Sequence, residues 1–396
     1  MMQVLKAHGK PPRRWRTWLL VIGGLVLVVA AAAVAYSLGK SSSPSHNASG
    51  GGGGGGGTST TVATVPTPLT IRSTSPASGT TTAASNADIS VTFSAPVSLG
   101  SAKPALSPPV AGTWVLADPT TIRYDLAAPL IPSTTETVTV PAGTNGVRSK
   151  DGGTLASTAS FGFTVADGDT LRLQELLAQL NFLPLTFTPA SAAPAAKDGA
   201  VAAFGTFAWR WPTLPTELTS LWTQGQESML TKAAVMTFEN QNGLNVDGLA
   251  GPRVWSTLLQ DVAANKVDTA PYVYVLVTKT LPESLTLYNN GVAQYSGIPV
   301  NTGAPGADTV DGTFAVFEHV TSSEMKGTNP DGSTYDDPAV PWASYFNGGD
   351  ALHGFVRANY GFPQSNGCVE MTVANAGMLW PFTPIGTLVT VEGPAS

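Results

Sequence analysis

Cys368 carries the strongest nucleophile in this sequence, and it is the only cysteine among 396 residues. No disulfide can therefore form within the chain, so the thiol either packs inertly or reacts. Ser365, Asn366 and Gly367 come directly before it and predict a tight, polar turn. Such a turn disfavours a buried structural thiol and favours an accessible nucleophile.

A cysteine nucleophile needs a base, because an unperturbed thiol stays mostly protonated at neutral pH. The sequence has four histidines, and two of them precede the predicted folded domains. Of the other two, His319 lies in an alternating apolar and polar segment, where a structural histidine is the expectation. His353 lies 15 positions before Cys368, and Gly354 after it allows a close approach of backbone or substrate. His353 is therefore the candidate base.

Together, the histidine and cysteine segments resemble the catalytic domain of L,D-transpeptidases, the YkuD-type fold. That family pairs His-Gly with Ser-His-Gly-Cys, followed by an apolar residue and then Arg or Asn. This chain has His353-Gly354 and then Ser365-Asn366-Gly367-Cys368-Val369-Glu370. Two positions depart from the family pattern: Asn366 replaces a histidine, and Glu370 replaces Arg or Asn. Asn366 can form hydrogen bonds but cannot transfer a proton at neutral pH, so the proton chemistry falls on His353.

The resemblance extends over residues 271 to 393. Upstream, the small-residue run 300–306 and the segment 311–314 are similar to the family's approach to its Pro-x-Gly-x-Phe strand. Downstream, residues 375–379 resemble the short helix after the cysteine, and residues 386–391 resemble the closing strand. The resemblance implies a β-rich catalytic domain over residues 271–396.

The family's activity implies a role for each motif residue. Cys368 would attack the peptide bond before the terminal D-Ala of a peptidoglycan tetrapeptide stem, with His353 as the base. Backbone N–H groups around Gly367 and Cys368 would stabilise the oxyanion, and Ser365 would steady the loop. An amine of a second stem would then resolve the thioester into a cross-link, whereas water would give a carboxypeptidase. Carbapenem β-lactams are implied as covalent inhibitors, and no metal or other cofactor is expected.

Other residues between and before the two motifs are candidates for substrate contact. Arg357 and Tyr360 lie between the motifs, where they can meet a substrate carboxylate. Trp342 lies near the end of residues 321–350, a stretch without clear periodicity that suits either a lid or substrate wall or a packed loop. The predicted substrate-binding residues are Asn366, Gly354, Arg357, Tyr360 and Trp342.

The N-terminal region predicts membrane attachment. A basic segment at residues 1–16 precedes an uncharged run of 22 residues, 17–38, which is long enough for a helix to cross a bilayer. The basic flank is expected to stay in the cytoplasm, so the rest of the chain would lie outside, at the cell wall. A cleaved signal peptide is the alternative, with a small-x-small site at residues 33–35. Residues 39–66 are rich in Gly, Ser and Thr and predict a flexible linker.

Charge distribution supports this topology and excludes one class of partner. Six of the 20 basic residues, and no acidic residue, lie in the first 40 positions. The remainder therefore has 14 basic against 26 acidic residues. An acidic exported portion argues against nucleic-acid binding, which relies on Lys and Arg at phosphates.

Two further domains are predicted before the catalytic one, which makes the chain multidomain. Residues 67–166 show short alternating segments such as 87–93 and 136–140, separated by turn residues, and resemble a bacterial Ig-like β-sandwich. Residues 167–262 have helical periodicity and resemble an α-helical peptidoglycan-binding domain, with Val246-Asp247-Gly248 followed by Gly251-Pro252. An insertion at about 187–215 interrupts this second domain.

Two other classes of function compete with the enzyme. A zinc peptidase requires clustered ligands, and His319 and His353 lie 34 positions apart without a His-x-x-x-His spacing. A peptidoglycan-binding scaffold with a degenerate active site is the stronger alternative, because Asn366 and Glu370 depart from the family pattern. Retention of both His353 and Cys368 favours the enzyme.

Overall fold

The computed structural model describes residues 65–191 and 195–393. The predicted basic segment 1–16, the anchor 17–38 and residues 39–64 of the linker lie outside the described residues. Within the described part of the chain, no helix is both long enough and apolar enough to cross a membrane.

The first folded region consists of short β-strands. They are β1 (Ile71–Ser75), β2 (Ile89–Phe93), β3 (Val97–Ser98), β4 (Ala105–Ser107), β5 (Gly112–Asp118), β6 (Thr121–Leu126), β7 (Thr135–Val140), β8 (Arg148–Ser149) and β9 (Ala159–Thr164). One sheet has the order β1-β2-β6-β5, a second has the order β4-β7-β9, and β3 pairs with β8. In β2 every second residue is buried, and Ile89, Val91 and Phe93 pack in one core with Val138 and Phe163. The predicted alternation therefore marks the inner faces of these strands.

The second region is mainly helical. Its elements are α1 (Thr170–Gln179), β10 (Leu185–Pro189), β11 (Gly205–Trp209), α2 (Thr216–Thr219), α3 (Met229–Gln241) and α4 (Pro252–Ala263). Each long helix begins where the sequence provides a start signal. Asp169 and Ser228 cap α1 and α3 through their side chains, and Pro252 follows Gly251 at the start of α4.

The helical region shares one core with the catalytic region. Phe238 of α3 and Trp255 of α4 are fully buried in the same cluster as Tyr274 and Leu388, which belong to the C-terminal sheet. The inserted stretch between α1 and α3 forms the antiparallel pair β10 and β11. After it, Trp211 stacks on Tyr272 with ring centroids 6.3 Å apart, so this tryptophan contributes to packing between the two regions.

The C-terminal region contains two sheets. Its elements are β12 (Val273–Thr278), β13 (Ser284–Asn289), β14 (Val292–Pro299), β15 (Gly312–Ala315), β16 (Glu318–Thr328), β17 (Thr334–Asn347), β18 (Asp350–Gly354), β19 (Val369–Met371), α5 (Val373–Leu379) and β20 (Leu388–Glu392). One sheet has the order β14-β13-β12-β20-β15, and the other has the order β16-β17-β18-β19. Val277, Leu285, Val369 and Val389 are fully buried in the core that these sheets share.

The second sheet positions the catalytic candidates. Strands β18 and β19 are parallel neighbours, with Leu352 opposite Val369 and His353 opposite Glu370. Residues 355–368 form the connection between them, which starts directly after His353-Gly354 and ends at Cys368. The topology therefore brings the histidine and the cysteine to one edge of the sheet, although 15 positions separate them.

Candidate active site

Cys368 lies immediately before β19, at the end of the connection from β18. The residue is half-buried, and its Sγ lies 3.6 Å from the carbonyl oxygen of Gly349, close enough for a weak thiol hydrogen bond. Burial raises the pKa of this thiol to about 12, and the negative charges of Asp350 and Glu370 act in the same direction. A backbone hydrogen bond with Ala351 opposes the shift. At neutral pH the resting residue is therefore a thiol, which reacts only when a base removes its proton.

His353 is the candidate for that base. Its side chain is 3% exposed, and its Nδ1 lies 3.2 Å from the carbonyl oxygen of Gly354. A carbonyl oxygen can only accept, so this hydrogen bond places the proton on Nδ1 and leaves the lone pair on Nε2. Burial also lowers the pKa of His353. The ring is therefore neutral at pH 7 and can accept a proton.

Ser365 and Gly367 shape the turn that presents the cysteine. Ser365 is buried, and its hydroxyl donates to the carbonyl oxygen of Cys368 at 2.6 Å and accepts from the N–H of Gly367 at 3.2 Å. Gly367 has a φ of 110°, which side-chain-bearing residues rarely adopt. A Cβ at that position would lie 2.5 Å from Oδ1 of Asp350. The turn therefore requires glycine for both its backbone conformation and its packing.

The small-residue segment after β14 anchors this turn. The carbonyl oxygen of Thr302 accepts from the N–H groups of Gln364 and Ser365, each at 2.9 Å. Thr309 donates its hydroxyl to the carbonyl oxygen of Gly367 at 2.7 Å. Thr302 is itself held by Glu283, whose buried carboxylate accepts from the Thr302 N–H at 2.7 Å and hydroxyl at 2.6 Å. The position of Cys368 thus depends on hydrogen bonds from a second segment of chain.

Asn366 links the cysteine turn to the long β16–β17 hairpin. Its side chain is exposed, and Nδ2 donates to Oδ1 of Asn329 at the hairpin tip at 2.6 Å. The hairpin covers most of residues 321–350, for which a lid or substrate wall, or a packed loop, was predicted. Most residues of its outer part, such as 324–339, are exposed or half-buried on both faces, so no apolar alternation marked them as strands.

Arg357 forms an ion pair with Glu370 inside the site. Its Nε and one terminal nitrogen each lie 2.8 Å from a different carboxylate oxygen of Glu370, a bidentate arrangement. The Glu370 side chain is 6% exposed and that of Arg357 is 31% exposed. The Arg357 guanidinium, which was predicted to bind a substrate carboxylate, is therefore already paired with Glu370. The same ion pair neutralises the charge of Glu370, the residue that departs from the family pattern.

The other predicted contact residues have local structural partners. The Tyr360 hydroxyl donates to the carbonyl oxygen of Phe355 and accepts from the N–H of Arg357, which closes the turn after β18. Gly354 is buried, and a Cβ there would lie 2.9 Å from the Cα of Val373. Tyr360 and Gly354 therefore have structural roles next to the site.

Trp342 and His319 both pack around Trp380, outside the set of described residues that line the site. The Trp342 and Trp380 ring centroids are 5.6 Å apart, and a Cβ on Gly377 would lie 3.0 Å from Nε1 of Trp342. His319 stacks on Trp380 at 4.0 Å and has its Nδ1 3.1 Å from the hydroxyl of Ser344. The structure thus gives His319 the structural surroundings that its sequence context suggested.

A cavity of about 500 Å³ opens beside the cysteine. Cys368 and His353 both line it, together with Asn366, Arg357 and Glu370. The sequence predicted a lid or substrate wall, or a packed loop, for residues 321–350, but it did not single out the individual residues of the remaining wall, all but one of which lie in that range. These additional lining residues are Glu324, Met325, Lys326, Asn329, Tyr335, Asp337, Val340, Tyr345, Gly349, Asp350 and Phe355.

Two other kinds of site bear comparison with this one among the described residues: a metal-binding cluster and a second cavity. Among residues 65–191 and 195–393, no three His, Cys, Asp or Glu side chains lie close enough together to hold a metal ion. A larger cavity of about 690 Å³ lies between the Ig-like and helical regions, but its lining is mostly apolar and has neither cysteine nor histidine. The candidate nucleophile and base both line the smaller cavity of about 500 Å³.

Comparison with known proteins identifies two of the three regions. Residues 272–391 match the family model of the L,D-transpeptidase catalytic domain, YkuD, and residues 65–165 match that of the bacterial Ig-like domain. No protein with a curated description matches the sequence.

Several solved structures are similar to this chain. An L,D-transpeptidase from Mycobacterium smegmatis is 11% identical, with a TM-score of 0.28, and the match covers 83% of this chain and 100% of that chain. L,D-transpeptidase 3 from Mycobacterium tuberculosis, in complex with a faropenem-derived adduct, is 13% identical, with a TM-score of 0.29 and coverage of 82% and 98%. The catalytic domain of the E. faecium L,D-transpeptidase is 23% identical, with a TM-score of 0.28 and coverage of 32% and 100%. From the family models, the chain carries an L,D-transpeptidase (YkuD) catalytic domain at residues 272–391 and a bacterial Ig-like domain at residues 65–165.

Proposed function

We propose that this protein is a cell-wall L,D-transpeptidase with Cys368 as its nucleophile. The observation that carries the proposal is that His353 of β18 and Cys368, which directly precedes the parallel neighbour β19, line the same cavity. His353 removes the thiol proton through Nε2, and the sulfur attacks the carbonyl carbon before the terminal D-Ala of a tetrapeptide stem. The backbone N–H of Cys368 stabilises the oxyanion, an effect worth about 3 kcal/mol for one donor; the N–H of Gly367 already donates to the Ser365 hydroxyl.

The remaining steps complete an acyl transfer. The tetrahedral intermediate collapses, D-Ala leaves with the proton held by His353, and a thioester remains on Cys368. An amine from the third residue of a neighbouring stem then attacks the thioester and closes a cross-link between two third positions. Attack by water instead gives an L,D-carboxypeptidase.

The other regions have roles in this proposal as well. The helical region 167–262 binds peptidoglycan, the Ig-like domain acts as a spacer, and residues 17–38 anchor the chain in the cytoplasmic membrane with the N-terminus inside. Support for wall binding comes from the Val246-Asp247-Gly248 loop and the Gly251-Pro252 start of α4, and support for the anchor comes from the apolar run itself. Carbapenems are proposed as covalent inhibitors; the solved structures include an E. faecium catalytic domain acylated by ertapenem.

A direct test uses the purified full-length protein and a disaccharide tetrapeptide as donor and acceptor. Mass spectrometry follows the release of D-Ala and the appearance of a dimer or of a tripeptide stem. The proposal predicts both D-Ala release and dimer, and their loss in Cys368→Ala. A tripeptide without dimer would identify a carboxypeptidase, and no D-Ala release would leave the degenerate wall-binding scaffold.

A further inference from the structure

Asp350 is a cavity carboxylate that the mechanism above does not use. It lies at the start of β18, three residues before His353, and lines the same cavity as Cys368. Its Oδ1 lies 2.5 Å from the point where a Cβ on Gly367 would be. Its chain neighbour Gly349 has its carbonyl oxygen 3.6 Å from the Cys368 sulfur. The carboxylate therefore lies beside Gly367, and the backbone directly before Asp350 contacts the sulfur.

Two carboxylates act on the Cys368 thiol through their charge, namely Asp350 and Glu370. Glu370 is neutralised by the bidentate ion pair with Arg357. Asp350 accepts a hydrogen bond from Nδ2 of Asn347 at 3.0 Å, which is a neutral partner. Asp350 thus supplies an uncompensated negative charge beside the nucleophile. That charge opposes formation of the thiolate, so it has no use in the first half of the reaction.

The second half of the reaction has a different requirement. An acceptor amine is protonated at neutral pH and cannot attack until it loses a proton. We propose that Asp350 is the group that draws the acceptor ammonium into the site and removes its first proton. This inference rests on the proposed transpeptidase function and assigns its amine specificity to a residue outside the two sequence motifs.

The step balances as follows. The ammonium transfers one proton to an Asp350 carboxylate oxygen, and the nitrogen lone pair attacks the thioester carbonyl carbon. His353 takes the second nitrogen proton as the intermediate forms, the carbon–sulfur bond breaks, and His353 returns that proton to the departing thiolate. The products are the amide cross-link, the Cys368 thiol and one proton, which Asp350 releases to solvent. No oxidant or further reactant is needed.

Nine other ionisable groups line the cavity with Asp350. They are His353, Cys368, Glu370 and Arg357 on the sheet and its connection, and Glu324, Lys326, Tyr335, Asp337 and Tyr345 on the hairpin. Lys326 is paired with Glu324 at 3.0 Å. Asp337 acts electrostatically on His353 and Arg357, whereas Asp350 acts on the thiol itself. Burial raises the pKa of Asp350 to about 6, so the carboxylate form predominates at pH 7.

The test compares two reactions of the full-length protein and its Asp350→Asn variant. Acylation by a carbapenem needs no acceptor amine, whereas formation of the cross-linked dimer does. In Asp350→Asn, dimer formation is expected to fall by about 100-fold or more, the range of a lost general base. Carbapenem acylation is expected to stay equal or become several-fold faster at pH 7, because a charge that opposes the thiolate is gone. Asp336→Asn, on the exposed face of β17, is the matched control.

The pH profile separates catalysis from a structural role. In the wild type, the ratio of dimer to hydrolysed tripeptide is expected to rise as the pH passes about 6, and in Asp350→Asn this rise should be absent. A parallel fall of acylation and dimer formation, or no change in either, would overturn the role of Asp350. Absence of carbapenem acylation in the wild type would instead overturn the proposed function itself.

Discussion

Substitution of Gly367 by alanine probes how closely the nucleophile turn is packed. The φ of 110° places the residue where a Cβ costs about 1–3 kcal/mol of backbone strain. In addition, the new Cβ would lie 2.5 Å from Oδ1 of Asp350, a distance that forces the carboxylate or the turn to move. We therefore expect Gly367→Ala to slow carbapenem acylation by at least tenfold, which corresponds to about 1.4 kcal/mol of transition-state free energy.

Gly332 provides a matched control for this substitution. It has a φ of 87°, and a Cβ there meets nothing within 4 Å. Gly332→Ala should therefore show the backbone strain without the contact, as a loss of stability with little change in acylation. In an Asp350→Ala background the contact is absent, so Gly367→Ala should slow acylation less, relative to Asp350→Ala alone, than it does in the wild type. The assay is stopped-flow acylation combined with thermal unfolding of each variant.

One result would refute this reasoning. If Gly367→Ala acylates as fast as Gly332→Ala, the packing of Asp350 against the turn does not position Cys368. If Gly367→Ala slows acylation equally in the Asp350→Ala background, strain alone accounts for the loss and the contact carries no weight.

Three further predictions follow from buried groups. Burial raises the pKa of Glu239 from 4.5 to about 7, so the folded state binds this proton more tightly than the unfolded state. The resulting stabilisation of the fold is full below pH 4.5 and is lost as the pH rises to about 7. It amounts to at most roughly 3 kcal/mol. Urea unfolding at pH 5 and pH 8 should show this loss in the wild type and little of it in Glu239→Gln. Ser365→Ala removes the hydrogen bond to the Cys368 carbonyl and should slow acylation by about tenfold in stopped-flow assays, whereas Ser365→Thr tests whether a hydroxyl suffices. Arg357→Lys keeps the charge but loses the bidentate geometry with Glu370, and we expect a lower thermal midpoint for it than for Lys326→Arg on the exposed hairpin.

The candidate nucleophile and base could be proposed from the sequence because the signals for them are local. A single cysteine in a polar turn and a His-Gly pair upstream are signals that residue type and spacing carry by themselves. Strand alternation likewise predicted β2 and β7, where one face is buried and the other is mostly half-buried.

Asp350 could not be predicted in the same way. It lies three residues before His353 on one strand, and simple alternation would place the two side chains on opposite faces. Irregular pairing between β17 and the start of β18 allows both to line the cavity. The amino-acid sequence contains no pattern that predicts such an irregularity in strand pairing.

The Arg357–Glu370 ion pair also depends on the folded arrangement. The two residues are 13 positions apart, and the sequence suggested only that Glu370 departs from the family pattern. Its partner becomes evident once β18 and β19 pair in parallel and the connection turns back over the sheet. The hairpin β16–β17 was missed for another reason: its outer part is polar on both faces, so no periodicity distinguished it from a loop.

The most direct test of the central claim is the intact mass of the full-length protein after incubation with a carbapenem. Cys368 as a nucleophile activated by His353 predicts a single covalent adduct in the wild type, none in Cys368→Ala, and adduct formation slowed by about 100-fold or more in His353→Gln. An adduct that persists in Cys368→Ala, or that forms at the wild-type rate in His353→Gln, would contradict the account.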